Sequence, residues 1–153
     1  MGLDMYLRGR RYLYGDREDR NIGQEVQDLF PELANRQGEW GGAVVKEIEI
    51  EAGYWRKANH IHKWFVDHVQ DGEDDCRIYP VSREKLTELL ELCQRVLGFR
   101  HLANELLPTQ EGFFFGATSY DDGYYQDIEH TIQVLEDALK LPESWSFQYY
   151  SSW

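Results

Sequence analysis

Cysteine is scarce in this sequence: Cys76 and Cys93 are the only two in 153 residues. Two thiols make neither a disulfide framework nor a zinc motif. Cys76 follows Glu73, Asp74 and Asp75, whose charges disfavour a thiolate, and Cys93 falls within a leucine-rich helical pattern as core filling. Long apolar runs are missing too. No stretch approaches bilayer length and no signal peptide opens the chain, so the expectation is a cytoplasmic protein with no membrane partner. Positive charge is in deficit, with 16 Lys and Arg against 28 Asp and Glu and a formal charge of −12. Such a surface repels nucleic-acid backbones and anionic membranes, which excludes general affinity for either. A local basic patch for a phosphate is still compatible with that total.

Familiar chemical signatures are absent as well. There is no GxxxxGK[ST] or GxGxxG stretch for a nucleotide and no GxSxG elbow. The abundant carboxylates show no spacing that singles out an acid–base pair. The sequence therefore assigns no catalytic residue, no cofactor and no metal ligand.

What is present is a foldable chain. Hydrophobic residues make up 42% and aromatic residues 14%, so rings supply much of the core volume and their polar tips need partners. The length fits one domain, residues 1–153. Gly2–Tyr14 alternates as a strand, and Val44, Ile48 and Ile50 alternate as a second. Asn21–Leu33 reads as a short helix, followed by a loop over Asn35–Gly42. A helix beginning at Ser82, stapled by Val81 and Leu86, runs to Gly98. A short helical piece spans Leu102–Leu107, Phe113–Phe115 reads as a short buried strand, and a last helix covers Tyr120–Leu139. Trp145, Phe147 and Tyr149 alternate as the final strand. This order predicts an α+β domain, with a mainly antiparallel sheet of about four strands covered by three to four helices.

The densest chemistry lies in a helix predicted over Tyr54–Gln70. At roughly 100° per residue, Tyr54, Trp55, Ala58, Ile61, His62, Phe65, Val66 and Val69 fill one arc. Arg56, Lys57, Asn59, His60, Lys63, Trp64, Asp67 and His68 fill the other. Arg56, Asn59, His60 and Lys63 stand at i, i+3, i+4 and i+7, either as an anion contact or as a solvated face partly paired with Asp67. Trp64 on that arc is either covered by a loop or a second subunit, or is a stacking platform for a ligand. His62, inside the apolar arc, is either a core histidine with a hydrogen-bond partner or a polar contact on a pocket floor. A shared metal fails on geometry, because residues two apart on a helix point roughly 200° apart. The segment Pro108–Ser119 could present Thr109, Gln110, Thr118 or Ser119 to a ligand. Asp121 and Asp122 in the following first turn would repel a phosphate there, which favours a plain strand and capped helix.

The stretch Gly53–Asp67, the opening Met1–Leu7, the segment Leu106–Gly116 and the ending Ser151–Trp153 resemble a family of small proteins encoded in phage and prophage genomes. The resemblance covers most of the chain. Members are sometimes labelled phosphoglycerate kinase, which this chain is far too short to be. The resemblance implies an accessory factor acting in the host cytoplasm. The leading expectation is a protein that binds a small anionic ligand, a nucleotide among the options, without turnover, and sequesters a host signal. Its site residues are Arg56, Asn59, His60, Lys63, Trp64 and His62. One alternative is an acidic interaction module that inhibits a host protein; another is a small hydrolase or transferase using His60 or His62. A homo-oligomer is left open.

Overall fold

A computed structural model of the chain describes residues 2–30, 32 and 44–153. Alternation at the N-terminus does become a strand, β1 (Asp4–Tyr12), which buries Met5 and Leu7 on one face beside Leu3. It is joined by β2 (Glu47–Arg56), β3 (Tyr79–Val81) and β4 (Trp145–Ser152) in an antiparallel sheet of order β2-β1-β4-β3. β3 pairs Tyr79 with Tyr149 and Val81 with Phe147. Pro80 is tolerated there because β3 is an edge strand, where a missing N–H breaks no central ladder. Among the described residues the helices are α1 (Arg17–Asp28), α2 (Asn59–Val69), α3 (Arg83–Gly98), the single turn α4 (Ala103–Leu106) and α5 (Asp122–Leu139). The fold is α+β.

By internal contacts the chain forms two compact units, Met1–Gly9 with Ile50–Trp153, and Arg10–Glu49. In the smaller unit Asp16 caps α1 by accepting the Asp19 N–H at 2.8 Å, so this helix starts one turn before the expected Asn21. Asp19 is buried and accepts from Arg11 and from the Tyr14 backbone, each at 2.8 Å. α1 ends at Asp28 with Leu29 as its C-cap, short of the expected Leu33, while Pro31, Leu33 and the Asn35–Gly42 loop lie outside the described residues.

The larger unit holds the aromatic core. Leu3, Met5, Leu7, Trp55, Phe65, Phe147 and Tyr149 meet Leu86, Leu89, Cys93, Ile128 and Leu135 from the packed pair α3 and α5. Ser82 caps α3 as expected, accepting the Lys85 N–H at 3.2 Å. α5 seats directly on β2. The Trp55 indole donates to Thr131 Oγ1 at 2.9 Å, and His130 Nε2 bonds the Tyr54 carbonyl at 2.8 Å. Gly53 allows this approach: a Cβ there would stand 2.3 Å from Val134 Cγ1.

Two expectations are corrected. The helix predicted from Tyr54 begins at Asn59, because Gly53–Arg56 belongs to β2. Trp55 points inward while Tyr54 and Arg56 point outward, the period-two pattern of a paired strand, and tertiary pairing outweighs helical spacing. Phe113–Phe115 is no buried strand. Phe115 is buried, but Phe113 is 84% exposed and Phe114 44% exposed, in irregular backbone.

Candidate functional site

β2 stops because Lys57 turns left-handed, at φ +62°, after its N–H makes a 2.8 Å bond to the Leu3 carbonyl. Two residues later α2 begins without any side-chain cap. Its first residue does other work. Asn59 is buried, and its amide donates to the carbonyls of Phe115 at 3.2 Å and Ala117 at 2.8 Å. Its carbonyl oxygen accepts the Gln110 N–H at 2.9 Å. One side chain thus ties a segment lacking regular structure to the strand–helix junction. Gly116, at φ +96°, completes the fit, since a Cβ there would meet the Lys57 backbone oxygen at 3.1 Å.

These pieces, with the start of α5, enclose a cleft of about 270 Å³ whose lining includes Arg56, Lys57, His60, Ser119, Tyr124 and Asp127. His60 is 3% exposed, its ring centroid 4.2 Å from that of Tyr124, and its Nε2 has no hydrogen-bond partner among the described residues. Burial pulls its pKa down to about 3, so the ring is neutral at pH 7. Asp127 moves the opposite way, up to about 6. Burial dominates that shift, His130 opposes it and Asp121 adds to it. Among the described residues no carboxylate pairs with the Lys57 ammonium, and nothing hydrogen-bonds the Asp127 carboxylate. Asp121, by contrast, is committed. It caps α5 through the Tyr124 N–H at 3.2 Å and accepts the Ser119 hydroxyl at 2.6 Å.

The six residues singled out in the sequence are divided among several environments. Arg56, Asn59 and His60 line this cleft. They meet across a strand–helix junction, not along one helical stripe. Asn59 is a structural tie, with its donors and its acceptor already used. Arg56 donates to Asp4 at 3.0 Å and also hydrogen-bonds the Tyr54 side chain, which leaves the rest of its five N–H donors. Lys63 pairs with Asp67 at 2.8 Å, one turn along α2. Trp64 is 3% exposed, covered by its own chain and stacked on His68 with centroids 4.9 Å apart. It borders a separate cleft of about 240 Å³ with Leu92 and Arg95 from α3. So α2 buries both arcs: Asn59, His60 and Trp64, expected on its polar side, are as covered as Ile61 and Phe65.

His62 is fully buried, and both ring nitrogens are engaged. A carboxylate only accepts, so Nε2–H donates to Asp74 at 2.9 Å and Nδ1 accepts the Tyr149 hydroxyl at 2.7 Å. The Trp153 indole donates to the same Asp74 oxygen at 3.2 Å. Burial lowers the His62 pKa and Asp74 works against that shift.

Lys57 and Asp127 were not among the residues selected from sequence. Lys57 was assigned to the polar arc of a helix, and Asp127 is one of the many carboxylates that no spacing singles out. Only the left-handed turn and the packing of α5 on β2 put them together, and neither leaves a spacing signal. Among the described residues no helix is long and apolar enough to cross a membrane. No protein-family model matches the chain, and no curated protein or solved structure is significantly similar to it.

Proposed function

We propose that the protein binds a small anionic ligand, without turning it over, in the cleft at the β2–α2 junction. One observation carries this reading: among the described residues Lys57 has no carboxylate partner, and it stands beside Arg56 at a cleft walled by a buried histidine, in a chain of charge −12. In so acidic a protein an unpaired ammonium at a concave site is the natural seat for an anion. Binding is favoured over turnover because His62 has no nitrogen to offer a substrate and His60 is a weak base at neutral pH. The cleft favours ligands smaller than a nucleotide, since Trp64 borders the other cleft and the Tyr124 ring is already packed at a tilt against His60. The phage-type resemblance supplies a setting in which such binding sequesters a host signal.

The test is a thermal-shift and calorimetric screen of phosphate, sulfonates, carboxylates, nucleotides and cyclic nucleotides, on the wild type and on Lys57→Ala. Loss of one charge-assisted contact weakens affinity by about tenfold or more. Absence of any heat or shift with every anion at millimolar concentration overturns the reading.

A second reading is favoured by a different observation. Phe113 and Phe114 stand exposed on a segment held in place by Asn59, in a chain of net charge −12. An interaction module that blocks a basic host protein would use such a patch. Pull-down from bacterial lysate should then recover a basic partner that is lost as salt rises, and lost again with Phe113→Ser.

A further inference from the structure

We infer that the ligand of this cleft is a zwitterion, an acid–amine molecule whose anionic group meets Lys57 and Arg56 and whose ammonium meets Asp127. This rests on the anion-binding reading above and adds a second pole to it. Two opposite charges line one cleft and do not pair with each other or with any other described side chain. An unpaired carboxylate in a partly buried wall is costly unless something supplies a counter-charge. The other carboxylate of the cleft cannot take this role, because Asp121 is occupied by the α5 cap and by Ser119.

The groups around Asp127 sharpen the assignment. His130 of α5 and Asp121 at its cap act on its charge, and Arg56, Lys57 and the neutral His60 line the same cleft. None of them bonds to it. His60, which also lines the cleft, adds a buried ring nitrogen without a partner among the described residues, a further polar contact for a ligand lying between the two charged ends. A purely anionic ligand would satisfy Lys57 and leave Asp127 repelling it. A purely cationic one would do the reverse. A molecule with both ends neutralises both walls at once, and the pKa of Asp127, raised mainly by burial and only partly offset by His130, is what such a ligand's ammonium would bring down.

Matched pairs that differ only by an amine test this directly: taurine against ethanesulfonate, β-alanine against propionate, phosphoethanolamine against ethyl phosphate. Each is titrated calorimetrically into the wild type, Asp127→Asn and Lys57→Ala at pH 7.5, with methylammonium as the cation-only probe. At least one amine-bearing member should bind about tenfold or more tightly than its partner, the effect of one charge-assisted contact. Asp127→Asn should erase that advantage and, by removing a repelling charge, bind the simple anion at least as tightly as the wild type does. The sulfonate pair adds a pH arm, because its sulfonate stays charged: the taurine advantage should fade from pH 7.5 to pH 5 as Asp127 takes up a proton. Equal affinity within every pair, with anion binding intact, overturns the zwitterion inference alone. Failure of every probe to bind overturns the anion reading with it.

Discussion

At the scale of single residues, His60 and Asp127 make the fold respond to acid in opposite directions. His60 titrates near pH 3 when folded against 6.5 when exposed, so between those values the unfolded chain holds the extra proton. Stability from His60 is therefore complete above pH 6.5 and declines as pH falls toward 3. Asp127 titrates near 6 when folded against 3.8, so the folded chain holds the proton in that window. Its contribution is complete below pH 3.8 and is lost as pH rises through 6. Asp127→Asn should accordingly raise the melting temperature at pH 7.5, with the gain shrinking to nothing below pH 4. His60→Gln should flatten the acid side of the stability profile. Thermal melts from pH 3.5 to 8 read both. A gain from Asp127→Asn that persists unchanged at pH 4 would show that the carboxylate is not strained by burial. A residue that destabilises the empty fold and serves a ligand is the trade expected at a binding site.

Secondary-structure elements were legible where a period ran long enough. β1 and β4 show strict alternation, and α3 and α5 have long apolar stripes with Ser82 and Asp121 at their starts. β3 spans three residues and leaves no period to read. The Tyr54–Arg56 error has a different cause, because a strand and a helix adjoin there and both bury aromatic residues. Nothing local says that Lys57 turns left-handed. That single dihedral separates a cationic helical stripe from a cleft at a junction, so Arg56 and His60 could be chosen from sequence while their mutual arrangement could not. Trp64 and His62 were likewise visible as anomalies, and their partners Asp74, Tyr149 and His68 come from packing. The β2–α5 seam has its own prediction. Gly53→Ala puts a methyl into Val134 and should cost about 1–3 kcal/mol of stability by denaturant titration, with Trp55 fluorescence perturbed. A shift below about 0.5 kcal/mol would mean α5 can lift from the sheet without penalty.

For the molecule as a whole, charge is the dominant global property. An excess of 12 negative charges repels itself, and many of the ion pairs present, such as Lys85 with Glu88 and Lys140 with Asp137, are exposed and contribute little. Screening should therefore help more than it harms. Melting temperature should climb as sodium chloride rises from about 10 to 150 mM, where the Debye length falls to about 8 Å. A decline over that range would mean that local pairs outweigh the global repulsion.

The Asn59 tie offers a view of the site that needs no knowledge of what binds there. Gln110 lies outside any helix or strand, yet its N–H is held by the buried amide oxygen of Asn59, at the start of α2. Its hydrogen should exchange with deuterated solvent as slowly as one in regular structure, and more slowly than the amides of the segment that have no partner. That one amide becomes a built-in clock, running fast when the segment lifts from α2 and slow when the segment is seated. A ligand that closes the cleft would announce itself by stopping the clock.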